Sequence, residues 1–274
     1  MTRSVNYHKP LLLAAFGMIL WGCNNDDVPQ NNTGPSIPPP PPLAYTLVQA
    51  LPHDTASFTQ GLQYYKGVLY ESTGNPERQP NGSRIQVVNP ATGATQVKAV
   101  LPADEFGEGI TLLNDKVYQL TWENRKGYVY DARTFKKLRE FTYNHQGWGI
   151  TNDGTYLIVS DGSSNIYYWD PETFKEVKRL TVQDHRGLRN NINELEFING
   201  HLFANIWQSN QIVRIDTATG NITGVLDLTD LLRNYPELAQ PPADVLNGIA
   251  WDSSTNRLLI TGKKWPRMFE IELR

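Results

Sequence analysis

The chain has 274 residues with a formal net charge of −3 at pH 7, and Cys23 is its only cysteine. A lone cysteine excludes an internal disulfide, and a slightly acidic chain without a dense Lys/Arg cluster is not expected to bind nucleic acid. The five histidines are scattered, and the sequence has no H-E-x-x-H, G-x-S-x-G or glycine-rich phosphate-loop motif. We therefore expect neither a metal enzyme nor a serine hydrolase.

Residues 1–22 have the pattern of a secretory signal peptide. Basic residues precede an apolar run, residues 11–21, which is too short to be a permanent membrane-spanning helix. The segment Leu20-Trp21-Gly22-Cys23 is similar to a bacterial lipobox and predicts that Cys23 is the acylated first residue of the mature chain. Because Trp21 is unusual in such a motif, the alternative that Cys23 is the last residue of a signal cut elsewhere stays open.

Residues 23–43 are predicted to form a tether that is first polar and then rich in proline. The run Pro38 to Pro42 favours extended polyproline geometry, which makes a stiff spacer. We expect it to hold the following domain away from a membrane that the protein contacts only through the lipid on Cys23. The sequence thus predicts an exported bacterial lipoprotein in the periplasm. Asn24 is not the aspartate associated with inner-membrane retention, which favours the outer membrane.

A turn motif recurs four times in residues 44–274. It consists of Asn or Asp, two further residues, Thr, and then Gly or Phe: Asn89–Gly93, Asp131–Phe135, Asp170–Phe174 and Asp216–Gly220. The motifs begin roughly 40 residues apart, which is the length of a four-stranded propeller blade. Short strands rich in Val, Ile and Tyr fill each period. The predicted fold is therefore an all-β, five-bladed propeller.

The ends of this domain predict how the ring is completed. Tyr45 to Leu51 is a predicted strand with no blade of its own, while the last blade stops after its third strand. We expect the N-terminal strand to become the outer strand of the last blade and so close the ring. One short helix is predicted at Leu228 to Asn234, capped by Asp227 or Thr229.

Five predicted strands begin in a similar way and indicate where the functional residues lie. The shared pairs are Gly61-Leu62, Gly109-Ile110, Gly149-Ile150, Glu194-Leu195 and Gly248-Ile249. Because the first strand of each blade lines the central channel, polar residues beside these pairs should face one cavity. Equivalent positions carry Gln60, Glu108, Trp148, Asn193 and Asn247. The middle strands add three more residues at the same mouth: Trp122, Trp207 and Lys263.

Several of these segments, in order and at blade spacing, resemble the glutamine cyclotransferase family, the plant and bacterial type of glutaminyl-peptide cyclotransferase. The resemblance covers nearly all of residues 45–274. It rests on Phe58-Thr-Gln-Gly-Leu62, Phe106-Gly-Glu-Gly109, Leu120-Thr-Trp122, Gly147-Trp-Gly149, Asn193-Glu-Leu-Glu196, Asn205-Ile-Trp207 and Gly262-Lys263. It implies a five-bladed propeller that converts N-terminal glutamine of peptides or proteins to pyroglutamate, releases ammonia and has no catalytic zinc.

This implied reaction assigns roles to the residues at the mouth. The substrate's own α-amine attacks its side-chain carboxamide, so the enzyme must fold that side chain, move protons and stabilise an oxyanion. Glu108 is the expected proton shuttle. Asn193, Gln60 and Lys263 are expected to bind the carboxamide oxygen or the first peptide carbonyl, and which of them faces the oxyanion is left open. Four aromatic residues are expected to enclose the side chain: Phe58, Trp122, Trp148 and Trp207.

Each assignment has an alternative. Glu108 and Lys263 could form a structural ion pair, and Asn193 and Gln60 could satisfy backbone groups of the channel. The same face could bind a peptide or glycan without catalysis, because a fold does not fix a function. A metal-dependent hydrolase or lactonase would need converging carboxylates, and these strands supply mostly amides. We expect a monomer without a cofactor or catalytic metal, and a structural cation in the channel stays open.

Overall fold

Five four-stranded antiparallel sheets make up most of the protein. A computed structural model describes residues 37–79 and 82–274. The strand β1 (Tyr45–Pro52) comes first along the chain. The first blade contains β2 (Phe58–Tyr65), β3 (Val68–Gly74), β4 (Arg84–Val88) and β5 (Thr95–Val100). The second contains β6 (Gly107–Leu113), β7 (Lys116–Thr121), β8 (Lys126–Asp131) and β9 (Lys137–Thr142).

The remaining blades follow the same order from the inner to the outer strand. The third contains β10 (Ile150–Asn152), β11 (Leu157–Ser160), β12 (Asn165–Trp169) and β13 (Glu176–Thr181). A small ribbon, β14 (Gln183–Asp184) with β15 (Gly187–Leu188), leads to the fourth. That blade contains β16 (Ile192–Ile198), β17 (His201–Ile206), β18 (Gln211–Asp216) and β19 (Ile222–Asp227). The five-bladed propeller predicted from the sequence is confirmed.

The fifth blade combines strands from both ends of the described chain. After β19 come a short helix, α1 (Thr229–Asn234), and a 3₁₀-helix, Pro236–Ala239. The blade then contains β20 (Leu246–Asp252), β21 (Arg257–Gly262) and β22 (Arg267–Leu273). The strand β1 pairs antiparallel with β22 from Tyr45 opposite Leu273 to Pro52 opposite Arg267. It is thus the outer strand of this sheet. That it also closes the ring of blades stays a prediction.

The recurring Asp-x-x-Thr motif forms the turn between the third and fourth strands of a blade. Asp131 Oδ1 accepts hydrogen bonds from the backbone N–H of Thr134 at 2.8 Å and from its hydroxyl at 2.7 Å. Asp170 and Asp216 make the same pair of bonds. The residue after the threonine adopts a left-handed conformation, with φ of 56° at Phe135. These side-chain bonds to the turn explain why the sequence period is visible.

Burial decreases from the channel to the rim, as expected if the core lies between blades. Every residue of β6 is buried, whereas only one residue of β9, Phe141, is buried. The apolar clusters join neighbouring blades: Ile166 and Tyr168 of the third blade pack with Leu195 and Val213 of the fourth. Each blade therefore depends on its neighbours to bury its apolar face.

The inner strands approach one another closely, which explains the repeated glycines. A Cβ on Gly109 would lie 2.6 Å from the backbone nitrogen of Ile150, and one on Gly149 would lie 2.2 Å from the carbonyl oxygen of Asn193. The fourth inner strand has Glu194 at this position. Its carboxylate reaches across the channel and accepts backbone N–H bonds from Leu62 at 3.2 Å and Ile249 at 2.9 Å. Burial raises the pKa of Glu194 well above its usual range.

The last residues of the predicted tether lie against the propeller. The backbone N–H of Leu43 donates to the carbonyl of Val225 at 2.8 Å, and Val225 donates to the carbonyl of Pro41 at 3.0 Å. The predicted signal peptide and Cys23 lie outside the described residues. Within residues 37–79 and 82–274, no helix is long and apolar enough to cross a membrane.

Candidate active site

The polar residues of the channel mouth lie at irregularities of the inner strands. The pairing of β6 with β7 shifts register between Gly107 and Ile110, so Glu108 leaves the regular ladder. The same shift occurs in β2 around Gln60, in β16 around Asn193 and in β20 around Asn247. A bulge redirects a side chain that would otherwise follow the strand alternation. In three of these strands the redirected side chain lines the cavity: Gln60, Glu108 and Asn193.

A cavity of about 540 Å³ opens at this end of the propeller. All eight residues predicted for the site line it: Phe58, Gln60, Glu108, Trp122, Trp148, Asn193, Trp207 and Lys263. The remaining lining residues are Asn75, Pro76, Arg78, Phe106, Gln208, Asp244 and Val245. The cavity has the size of a small-molecule site, with aromatic walls and a few polar groups.

Glu108 is the one carboxylate among the buried residues lining the cavity, and it has few hydrogen-bond partners. Its side chain accepts one bond, from Gln60 Nε2 at 3.1 Å, and Gln60 in turn accepts a bond from Asn247 Nδ2 at 3.2 Å. The hydroxyl of Ser72 donates to the backbone carbonyl of Glu108 at 2.6 Å, which fixes the strand beneath it. Burial raises the pKa of the Glu108 carboxyl well above its usual range, and the charge of Lys263 partly offsets this. A carboxyl with a raised pKa can donate a proton at a pH where an exposed glutamate is ionised.

Lys263 is the basic group facing Glu108, and its backbone is tied down on both sides. Its N–H donates to the carbonyl of Val245 at 2.9 Å, and its carbonyl accepts from Asp244 at 2.8 Å. Its Nζ lies 4.8 Å from the centre of the Phe58 ring. Burial lowers the pKa of the Lys263 ammonium, while Glu108 and then Asp244 raise it. Among the ion pairs of the described residues none joins Lys263 to Glu108, so the structural ion pair considered above is not formed.

Asn193 contributes an amide to the floor of the cavity. Its backbone carbonyl accepts a bond from the hydroxyl of Ser160 at 2.7 Å, which joins the third and fourth blades. Its side chain is buried and lines the cavity without a hydrogen bond to the described residues. A buried amide without a protein partner costs free energy unless a ligand or water pairs with it. Asn193 is therefore placed to bind a polar group of a ligand.

Five aromatic residues form an apolar part of the wall: Phe58, Phe106, Trp122, Trp148 and Trp207. The rings of Trp148 and Trp207 meet edge to face with their centres 5.5 Å apart. On the other side Phe106 contacts both Phe58, at 6.0 Å, and Trp122, at 5.8 Å. Edge-to-face contacts of this kind fix ring orientation as well as excluding water. The wall thus has a defined shape before any ligand binds.

The sequence analysis missed one residue that holds two of the indoles. The side-chain oxygen of Gln146 accepts hydrogen bonds from Trp122 Nε1 at 2.9 Å and from Trp148 Nε1 at 3.0 Å. Phe106 was quoted in a motif but not assigned to the wall. The signal for both was their place in the predicted inner-strand starts, two residues before Trp148 and Glu108 respectively.

One residue differs from its expected place. Asn247, expected at the mouth, is fully buried beneath Gln60 and does not line the cavity, because its amide is used by Gln60 and by the carbonyl of Thr59 at 3.0 Å. Trp265, left out of the predicted site, is buried under the Lys263 segment and donates to the carbonyl of Asp244 at 2.8 Å. Both therefore support the side chains that line the cavity.

Another buried glutamate, Glu71, lies in the neighbouring strand β3 and has a different environment. Glu71 accepts bonds from His53 Nε2 at 3.1 Å, Thr59 Oγ1 at 2.7 Å and Gln86 Nε2 at 2.7 Å. The other ring nitrogen of His53 lies 2.8 Å from the carbonyl oxygen of Trp265. Burial opposes ionisation of Glu71, but the charge and hydrogen bond of His53 and the bonds from Thr59 and Gln86 overcome it and lower its pKa. Burial likewise opposes protonation of His53, and Glu71 overcomes it and raises the pKa of the imidazole.

Metal ligands are not grouped near this site. Within the described ranges, no set of three or more His, Cys, Asp or Glu side chains is arranged to hold a metal ion. The expectation that the protein needs no cofactor stays a prediction. The groups that the cavity offers are a carboxyl, an amine, amides and indoles.

This site defines a class of protein: a five-bladed propeller with a buried carboxyl in a cavity lined by aromatic residues. The family model described as glutamine cyclotransferase matches residues 19–273, so the chain belongs to the glutamine cyclotransferase family. A glutaminyl-peptide cyclotransferase from Arabidopsis thaliana is 38% identical over 230 residues, which cover 83% of this chain and 71% of that protein. The crystal structure of Myxococcus xanthus glutaminyl cyclase matches with a TM-score of 0.77 and 31% identity, over 85% of this chain and 98% of the other.

Proposed function

We propose that this protein is a glutaminyl-peptide cyclotransferase, an acyltransferase that cyclises the N-terminal glutamine of peptides or proteins. The observation that carries this proposal is Glu108, buried in an aromatic cavity with one hydrogen-bond partner and a raised pKa. A site that only bound peptides would gain nothing from an isolated group that exchanges protons. Membership of the family supports the same activity.

The reaction needs one proton to move between two nitrogens. The α-amine nitrogen of the substrate attacks the side-chain carboxamide carbon, and the new C–N bond closes a five-membered ring. The Glu108 carboxylate takes a proton from the attacking nitrogen and then gives it to the carboxamide nitrogen, which departs as ammonia. A raised pKa suits this role, because the carboxyl binds the proton more strongly than an exposed glutamate does and can then donate it to the departing nitrogen.

The surrounding polar groups have two further roles: orienting the Glu108 carboxyl and binding the carbonyl oxygens of the substrate. Gln60 uses its amide to hold Glu108, so we assign it to orienting the carboxyl rather than to binding the carboxamide oxygen. Asn193 and Lys263 have donors that face the cavity, and we assign them to the substrate's carbonyl oxygens, including the oxyanion. Burial increases the strength of these contacts because little water competes with them.

The aromatic wall fixes the substrate in the cyclising conformation. A glutamine side chain has several rotatable bonds, and an extended chain places the amine far from the carboxamide. We assign Phe58, Trp122, Trp148 and Trp207 to folding the side chain and excluding water. Because the amine is already tethered to the carboxamide, restricting these rotations brings the reacting atoms together.

Ammonia release from a glutamine-initiated dipeptide amide by the full chain tests the proposal. We expect ammonia and a pyroglutamyl product in equal amounts. The matched control is the same dipeptide with an acetylated amine, which lacks the nucleophile and should release nothing. Ammonia from the acetylated peptide would indicate simple amide hydrolysis, and no ammonia from either peptide would refute the cyclase. We also propose that EDTA leaves the rate unchanged; loss of activity restored by a divalent metal would contradict this.

The location of the protein in the cell is a separate proposal, which rests on the sequence. The lipobox-like segment before Cys23 and the proline run support an exported lipoprotein held in the periplasm, at the outer membrane, by its lipid. Radiolabelled palmitate should label the wild-type protein in a bacterial host and not Cys23→Ser. Equal labelling of both would remove the basis for the anchor. Sedimentation of the Cys23→Ser protein tests whether it is a monomer.

A further inference from the structure

A second cavity adjoins the first and has no role in the chemistry described above. It has a volume of about 620 Å³. Three residues line both cavities: Gln208, Asp244 and Val245. The second cavity is therefore a continuation of the mouth of the active site across the fifth blade, and we call it the side groove.

The side groove is built by the longest connection between consecutive blades, which runs from β19 to β20. The connection is anchored rather than loose: Leu231 and Leu238 are buried with Trp265 in the apolar cluster of the last two blades. The backbone N–H of Leu228 donates to the carbonyl of Asn210 at 2.9 Å, which ties the connection to the turn after β17. A fixed wall thus faces a fixed turn across the groove.

The lining of the side groove is largely apolar with a polar edge. The apolar residues are Leu232, Pro236, Leu238, Ala239, Ala243, Val245, Leu246 and Trp265, and the polar residues are Gln208, Ser209, Asn210, Thr229, Arg233 and Asp244. Ala239 is an exposed side chain on this wall. An apolar channel with backbone and hydroxyl groups along one edge fits an extended peptide that places apolar side chains inward.

We propose that the side groove binds the third and fourth residues of an extended peptide substrate, and that it favours apolar side chains there. This inference rests on the proposed cyclase function. The glutamine occupies the closed end of the first cavity at Glu108, so the rest of the peptide must leave through the mouth. Of the residues at that mouth, Gln208, Asp244 and Val245 lead directly into the groove. Asn75, Pro76 and Arg78 also line the first cavity, but none of them lines the side groove.

Peptide length is the variable that tests this proposal. The substrates are a glutamine dipeptide amide and glutamine pentapeptide amides that carry either leucine or serine at the third and fourth residues. Burying one leucine side chain is worth about 1.5–3 kcal/mol, so the leucine pentapeptide should exceed the other two in kcat/KM by roughly tenfold or more. Equal values for all three peptides would overturn the proposal.

Two variants locate the effect in the groove. Ala239→Trp fills the groove from an exposed position and should reduce kcat/KM for the leucine pentapeptide to the dipeptide value, while the dipeptide rate is unchanged. Ala218→Trp, in an exposed turn of the fourth blade that lines neither cavity, is the control and should change neither rate. With Ala239→Arg, a pentapeptide that carries glutamate at the third and fourth residues should become a better substrate than the leucine pentapeptide. Loss of the leucine preference in Ala218→Trp, or its retention in both Ala239 variants, would contradict the assignment.

The design separates this inference from the proposed function. If no peptide releases ammonia, the cyclase proposal fails. Calorimetric affinities of the same peptides for the wild-type protein and the variants then show whether the groove binds the longer peptide. If the dipeptide is cyclised but length has no effect, the function stands and the groove proposal falls.

Discussion

Glu71 and Glu108 lie on strands of neighbouring blades, and both are almost completely buried. The structure shifts their pKa values in opposite directions: that of Glu71 is lowered and that of Glu108 is raised. Glu71 accepts three side-chain hydrogen bonds, one of them from a histidine, whereas Glu108 accepts one from a neutral amide. Burial alone would raise the pKa of both, so the number and charge of the partners decide the direction of each shift.

The comparison separates Glu71, whose carboxylate joins parts of the structure, from Glu108, which we propose as the reactive carboxyl. Glu71 and His53 connect the segment after β1, the first blade and the Trp265 backbone, and neither side chain lines the cavity. Glu108 keeps hydrogen-bonding capacity that the protein does not use.

The two pKa shifts also give opposite pH dependences of stability. Stability from ionised Glu71 is present above its unfolded pKa and lost as the pH falls through its lowered folded pKa. Stability from protonated Glu108 is present below its unfolded pKa and lost as the pH rises through its raised folded pKa.

The largest expected effect is on turnover in Glu108→Gln. The amide keeps the size of the side chain but cannot transfer a proton, so kcat should fall by about 10²- to 10⁴-fold while KM changes little. Steady-state ammonia release measures both constants. Glu123→Gln, an exposed neighbour of Trp122, is the matched control and should retain wild-type kcat. A kcat of Glu108→Gln close to wild type would make Glu108 a structural residue.

Glu71→Gln should instead reduce stability. Removing one member of a buried ion pair typically costs about 3–5 kcal/mol, because the remaining charged group loses its partner. Urea unfolding at neutral pH should therefore show a large loss of unfolding free energy, with kcat per folded molecule changed far less than in Glu108→Gln. The difference from wild type should shrink in acid, where Glu71 is protonated in both states of the wild-type protein. A loss that is independent of pH would show that packing, not the ion pair, is responsible.

A smaller effect is expected for Trp207→Ala. This change removes the edge-to-face contact with Trp148 and opens one side of the wall, so the substrate is held less firmly. We expect KM to rise by roughly tenfold, equivalent to about 1.4 kcal/mol, with a smaller fall in kcat. Trp207→Phe keeps an aromatic ring at this position and should recover most of the loss. If alanine and phenylalanine behaved alike, the ring would not contribute to binding.

Most of the fold could be predicted because its repeating parts are encoded locally. The aspartate of each Asp-x-x-Thr turn bonds to its own turn, so the period is visible without knowledge of distant contacts. The helix was also predicted to within one residue, although its N-cap is Leu228 rather than Asp227 or Thr229. The ribbon formed by β14 and β15 and the 3₁₀-helix were missed. Their residues have no repeat counterpart, and tertiary contacts such as Leu238 with the apolar cluster hold the 3₁₀-helix in place.

The sequence predicted which residues line the cavity but not how deep each of them lies. Sequence alignment of the blades showed which positions are equivalent, and all eight assigned residues line one cavity. It could not show that Asn247 lies one layer below, because strand alternation alone does not reveal where a bulge turns a side chain. Gln146 could have been found from its place two residues before Trp148, but the role of Glu71 depends on partners in other strands, which no local pattern records.

The measurement that tests the contrast between the two glutamates most directly is a carbon-13 NMR titration of protein labelled at the glutamate side-chain carboxyls. Spectra of Glu108→Gln and Glu71→Gln assign the two resonances by their absence. The account predicts that the Glu108 resonance shifts at a pH well above the usual pKa of a glutamate. The Glu71 resonance should shift only at a pH below that usual pKa, because this carboxyl stays ionised there. A Glu108 carboxyl that remained ionised down to the pKa of an exposed glutamate would contradict its role as the proton shuttle.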